Sequence, residues 1–119
     1  NYMTSLTWIK RITGIGLSLM SQDAQKERFS RVFNSNGEIS GPALAELIDE
    51  CKTSAALFLS KHSGILGAED EGTITEMLEK TDGKQIVANM DREEDVQWLL
   101  ELKEIVDGSG FSIENLRTL

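Results

Sequence analysis

The residues best suited to nucleophilic catalysis are a single cysteine, Cys51, and a single histidine, His62. A thiolate–imidazolium pair needs the two side chains within hydrogen-bond reach of each other. On one continuous helix, eleven residues span roughly 16 Å along the axis at 1.5 Å per residue. The pair would therefore require a helix break between Thr53 and Ser54. We expect instead that Cys51 is a small buried residue and that His62 lies at a helix C-terminus.

Metal, phosphate and acyl-transfer chemistry have no matching pattern in this chain. One histidine and one cysteine cannot form a zinc ligand set of nitrogen and sulfur donors. Gly14-Ile15-Gly16 lacks the preceding strand and the third glycine of a dinucleotide-binding loop. No serine occupies a nucleophile elbow. We therefore expect a protein without catalytic residues, a metal site or a cofactor.

Carboxylates are the remaining groups that could do chemistry, as paired acid and base. They form three clusters: Glu69-Asp70-Glu71, then Asp91 with Glu93, Glu94 and Asp95, and finally Glu101 with Glu104. Negative charge at a helix N-terminus, where the second cluster lies, is stabilised by roughly 0.3–1 kcal/mol per residue. We interpret all three as solvated faces and helix caps. Weak calcium or magnesium binding at residues 69–71 is the alternative.

The charge of the chain is negative and uneven. The formal net charge is −8 over 119 residues. Residues 1–33 carry five basic and two acidic side chains, whereas the remaining residues carry seven basic and eighteen acidic ones. An acidic body repels nucleic acid and anionic lipid and attracts basic partners. A single cysteine is compatible with a reducing, cytoplasmic location, and no apolar run is long enough to cross a membrane.

The best-specified element is a helix over residues 91–107. Asp91 stands at the N-cap position and Glu94 completes a capping box, while Gly108 is predicted to be a left-handed stop. One broad apolar face at helical spacing consists of Trp98, Leu99, Leu102, Ile105 and Val106. Val96 and Leu100 lie on its flank and widen the apolar arc. That flank could contact a partner or a second copy of the chain.

Three further helices follow from the apolar spacing. Residues 5–20 form the first, with Gly16 on its apolar face and two glycines weakening its propensity; that face contains Trp8, Ile9, Ile12, Ile15, Leu19 and Met20. Ser21 caps the second, which runs to about Phe33. Ser40 or Gly41 caps the third, which ends at Gly64; its apolar stripe contains Leu44, Leu47, Ile48, Cys51, Ala55, Phe58 and His62. We expect this third helix and residues 91–107 to form the central packed pair.

Residues 74–90 allow two interpretations. A capping-box pattern at residues 73–76 predicts a helix over 74–81 that stops at Gly83, followed by a strand over 84–89. The alternative is a β-hairpin that turns at Asp82-Gly83. A last helical turn is expected over 113–118, after Ser112 as its N-cap.

Two segments, residues 32–40 and 105–112, share the same order of residue types around a turn rich in serine and glycine. The pattern loosely resembles the EF-hand, in which two helices flank a calcium loop. Both loops are shorter than the twelve residues that calcium needs, and Ala43 stands where the final glutamate belongs. Calcium binding is therefore not expected here, although Ile39 and Phe111 could pair as a minimal β-ribbon.

These observations predict one mainly α domain over residues 1–119, with Asn1-Tyr2 a cloning remnant: a bundle of four to five helices with at most a small two-stranded element. The alternative is an α+β fold with the hairpin at 74–90. The function hypothesis is a non-enzymatic interaction module that masks or chaperones a basic protein, as immunity proteins, inhibitors and assembly chaperones do. The residues expected to bind the partner are Glu69, Asp70, Glu71, Glu93, Glu94, Val96, Leu100, Glu101 and Glu104. A homo-oligomeric subunit that buries the flank of residues 91–107 is the second hypothesis.

Overall fold

The computed structural model describes residues 2–61, 76, 78–90 and 93–118 of the chain. These ranges contain α1 (Tyr2–Ser18), α2 (Gln22–Val32), α3 (Gly41–Lys61), α4 (Gly83–Ala88), α5 (Glu93–Gly108) and a terminal 3-10 helix, Ile113–Thr118. Glu76 and residues 78–80 are helical as well. No strand occurs within these ranges, where the β-structure is limited to one antiparallel bridge. The predicted mainly α fold is confirmed.

The core has two adjoining parts. The larger joins α1, α2, α3 and α5, and its fully enclosed side chains include Leu17, Phe29, Ile48, Trp98, Leu99 and Leu102. The smaller lies between α1 and α3 and contains Trp8, Ile12, Ile15 and Ala55 together with Leu78. Of the stripes predicted for α1 and α3, the residues from Trp8 to Ile15 and from Leu44 to Ala55 are buried, and Phe58 is partly buried. The helix α1 already ends at Ser18. Leu19 therefore lies in a turn and is 51% exposed.

The most extensive helix contact is between α1 and α3. Gly16 makes this contact close, because a Cβ built at that position would lie 2.4 Å from Cys51 Cβ and 2.5 Å from Cys51 Cα. The prediction that α3 pairs centrally with residues 91–107 is therefore wrong: α5 packs mainly on α2 and makes a smaller contact with α1. Helical periodicity identifies apolar faces, but it does not identify which faces meet.

Local signals place α2 correctly. The Ser21 hydroxyl accepts a hydrogen bond from the Ala24 N–H at 3.2 Å, as the capping prediction requires. After α2, the Asn34 side-chain oxygen accepts from the N–H groups of Asn36 and Glu38, each at 2.9 Å. The chain thereby reverses, and Ile39 forms an antiparallel bridge with Phe33.

The predicted β-ribbon between Ile39 and Phe111 is wrong. Phe111 is held instead by Gln25, a buried glutamine of α2 whose Oε1 accepts from the Phe111 N–H at 2.7 Å. The Nε2 of Gln25 donates to the carbonyls of Phe111 at 2.9 Å and Leu17 at 2.6 Å. One side chain therefore joins α2, the end of α1 and the C-terminal segment. Because all its hydrogen-bonding groups are occupied, its burial carries no unsatisfied-donor penalty.

The region around α4 departs most from expectation. Residues 83–88 are helical, so the predicted strand over 84–89 and the alternative hairpin are both wrong. Asp82 is the N-cap of α4, and its carboxylate accepts from the N–H groups of Lys84 and Gln85. Gly83, predicted as a helix stop, is the first residue of this helix. The helical residues 76 and 78–80 agree with the predicted helix over 74–81.

The end of α5 lies one residue beyond the prediction. Gly108 belongs to the helix, and the left-handed glycine is Gly110, with φ of 84°. The N–H groups of Ser109 and Gly110 both donate to the Ile105 carbonyl at 3.0 Å. The predicted final turn is confirmed as the 3-10 helix Ile113–Thr118.

Candidate interaction site

The outer side of α5 carries three of the predicted partner-binding residues, Leu100, Glu101 and Glu104. Leu100 is 47% exposed, and Glu101 and Glu104 are exposed beside it at helical spacing. We call these three residues the α5 acidic face. Val96 is different, because it is partly buried and packs against the core. Trp98, on the opposite side, is only 2% exposed and anchors α5 in the core.

Nothing in the described part of the structure places the other predicted partner-binding residues on this face. Glu93 and Glu94 lie in the first turn of α5. Glu69, Asp70 and Glu71 lie outside the described residues, as do His62, Gly64 and the predicted N-cap Asp91. The α5 acidic face is therefore the part of the predicted site that can be described structurally.

The thiol of Cys51 is unsuited to nucleophilic chemistry. The side chain is fully buried at the contact between α1 and α3. Burial raises the pKa of Cys51 from 9.0 to about 12, and the nearby Glu50 carboxylate adds to the rise. Since the thiolate is the reactive form, the expected role of Cys51 as a small buried residue is confirmed. Within the described ranges, no three histidine, cysteine or acidic residues are grouped as metal ligands.

Most of the basic residues of α2 are occupied within the chain. Arg28 donates to Glu50 of α3 at 3.0 and 3.2 Å and to its neighbour Glu27 at 2.9 Å. The hydrogen bond to Glu50 is the main reason that the pKa of Arg28 is raised. Arg31 forms an ion pair with Glu27 as well. These pairs engage two of the five basic residues that the sequence places in residues 1–33.

A second surface feature is an open groove of about 430 Å³ between the first half of α3 and α4. We call it the α3–α4 groove; its lining residues are Gly41, Pro42, Ala45, Glu46, Asp49, Lys84, Val87 and Ala88. Its surface is mainly apolar. Sequence reasoning missed it because residues 84–89 were predicted to be a strand, which would present different side chains to α3.

Three contacts hold α4 against α3 and give the groove its shape. The Gly83 N–H donates to Asp49 Oδ1 at 2.9 Å, and Lys52 Nζ donates to the Thr81 carbonyl at 2.8 Å. The third is a close backbone approach, since a Cβ on Gly83 would lie 2.3 Å from the Ala45 carbonyl oxygen. A glycine at the start of α4 is therefore required by packing.

Comparisons of the chain with protein-family models, curated proteins and solved structures found no significant match. The case for a function therefore comes from the surface. None of the helices in the described ranges has the length and apolar character needed to span a bilayer.

Proposed function

We propose that this protein is a non-enzymatic interaction module that binds a basic partner protein and masks or chaperones it. The formal net charge of −8 supports this proposal, because an acidic surface attracts and orients a basic one. The protected state of Cys51 also supports it, since the thiol lacks the lowered pKa of a nucleophile. A cytoplasmic location is part of the proposal, given the single reduced cysteine.

The observation that carries the proposal is the α5 acidic face. Neither Glu101 nor Glu104 has an ion-pair partner among the described residues, whereas the neighbouring Lys103 pairs with Asp107 at 2.7 Å. Leu100 adds an exposed apolar side chain beside these two carboxylates. A partner with a basic rim around an apolar pocket would satisfy both features.

The test is affinity capture from native lysate at low salt, followed by a salt titration of the captured complex. We expect binding to weaken steeply between about 50 and about 500 mM salt, because the two surfaces attract each other over a Debye length. Binding that is indifferent to salt, or the recovery of no partner, contradicts the proposal.

A pair of double variants locates the surface. We expect E101K/E104K to weaken binding of the captured partner by about tenfold or more. The matched control is E38K/E79K, which makes the same change in net charge at two exposed glutamates elsewhere. If both double variants weaken binding equally, only the net charge of the protein matters, and the α5 acidic face has no special role.

A further inference from the structure

We propose that the α3–α4 groove binds one amphipathic helix of a partner protein, with leucine-sized side chains in the groove and lysine or arginine residues along its α3 side. The inference rests on the proposed function, because it names a second contact surface and the form of the partner segment. It concerns a surface distinct from the α5 acidic face and can fail separately.

The size and lining of the groove favour an apolar occupant. Pro42, Val87 and Ala88 present small or medium apolar groups, and none of them fills the space between the helices. A volume of about 430 Å³ lies within the range of sites that enclose several side chains or a small ligand. The groove is open and bounded by two helices, which is the shape that receives an amphipathic helix with anchors at i, i+3, i+4 and i+7.

Charge complementarity specifies which helix would fit. Glu46 and Asp49 lie three residues apart along the α3 side of the groove, so they are neighbours on one helix face. Glu46 has no ion-pair partner among the described residues. On the α4 side the charged residue is Lys84. The occupant is therefore expected to be basic along one flank and neutral or acidic along the other, which also sets its orientation.

The groove is held in place before any partner binds. The hydrogen bonds from Gly83 to Asp49 and from Lys52 to Thr81 join the start of α4 to α3. A preformed groove avoids the ordering cost that a mobile surface must meet on binding. A helix of modest affinity could therefore bind without rearranging the fold.

The test uses the full chain and three labelled synthetic peptides of about 18 residues, long enough to form a helix. The first has leucines at i, i+3, i+4 and i+7 with lysines on one flank and glutamines on the other. The second replaces lysine by glutamate, and the third replaces leucine by serine. Fluorescence anisotropy should show binding of the first, and at least about tenfold weaker binding of the other two. Equal binding of the first and third peptides would overturn the proposal.

Variants of exposed residues then locate the peptide. We expect E46K and A88K each to weaken binding of the leucine–lysine peptide by about tenfold. The variant E101K on α5 should leave the affinity for this peptide within about twofold of its original value. Thermal unfolding monitored by circular dichroism checks that each variant is folded. If E101K weakens peptide binding and E46K does not, the groove proposal is wrong, although the proposed function at the α5 acidic face stands. Loss of peptide binding through dimerisation of the chain, seen by sedimentation, would also overturn it.

Discussion

Gly16 determines how closely α1 and α3 can approach. Alanine has a higher helix propensity than glycine by about 1 kcal/mol, yet its methyl group would lie 2.5 Å from the backbone of Cys51. Because a helix backbone cannot move away as a side-chain end can, we expect Gly16→Ala to lower the free energy of unfolding by about 1–3 kcal/mol, measured by urea denaturation. Gly108→Ala is the control, since a Cβ there meets nothing within 4 Å. Equal stability of the two variants would contradict the close approach.

The raised pKa of Cys51 predicts a pH dependence of stability. Between pH 9.0 and about 12, the unfolded chain has lost the thiol proton while the folded chain retains it. The unfolded state then binds fewer protons, so the free energy of unfolding falls as the pH rises through this range. The contribution is fully present below pH 9.0. Urea denaturation from about pH 8 to about pH 11 should show a steeper fall for the natural chain than for Cys51→Ala. Parallel curves would contradict a buried, protonated thiol.

Gln25 illustrates what a sequence pattern cannot reveal about a residue. It is fully buried, and its most important partner, Phe111, is 86 positions away along the chain. The periodic spacing that identifies buried apolar residues does not identify a buried glutamine. In the sequence of α2, Gln25 looks like any other helix-forming residue. Cys51 and Gly16, by contrast, were predicted correctly because each lies on an apolar face with helical period. Local spacing therefore predicts burial of apolar residues but not the long-range hydrogen bonds of a polar one.

At the scale of elements, α4 depends on its cap. Its six residues are too few for a helix to form without tertiary contacts, and Asp82 supplies two of the hydrogen bonds that begin it. We expect Asp82→Ala to lower the free energy of unfolding by about 1 kcal/mol and to speed hydrogen exchange in residues 83–88 specifically. Asp82→Asn keeps an accepting oxygen and should restore most of this protection. Uniform loss of protection along the chain would show that the cap acts globally.

The same element explains why part of the fold could not be predicted. Asp82-Gly83 is a typical hairpin dipeptide, and an aspartate before a glycine is equally suited to a helix start. The choice is made by α3, whose Asp49, Lys52 and Ala45 carbonyl all contact this turn. For α2, the N-cap Ser21 and the apolar spacing are sufficient to predict the helix, because both signals act within that one helix. The α3–α4 groove could not be predicted, because it depends on these contacts between α3 and the start of α4, which local sequence patterns do not specify.

At the scale of the whole molecule, charge separates the two function hypotheses. In a twofold dimer the same surface meets itself, so a dimer through the α5 acidic face would bring Glu101 and Glu104 against their own copies. Such like-charge contacts cost several kcal/mol. Burying Leu100 gains at most about 1.5–3 kcal/mol per copy, and part of that side chain is already covered. Association itself costs about 4 kcal/mol or more. Electrostatic repulsion and only one exposed leucine per copy therefore disfavour a dimer through the α5 acidic face.

We expect sedimentation velocity to show a monomer at low salt, up to a protein concentration of about 100 µM. Added salt screens repulsion between copies and attraction to a basic partner alike, so it should strengthen any self-association through this face while it weakens partner binding. Leu100→Asp should leave the sedimentation of the free protein unchanged. A dimer at low salt that Leu100→Asp disrupts would reverse the order of the two hypotheses, because apolar contact would then outweigh the charge of the α5 acidic face.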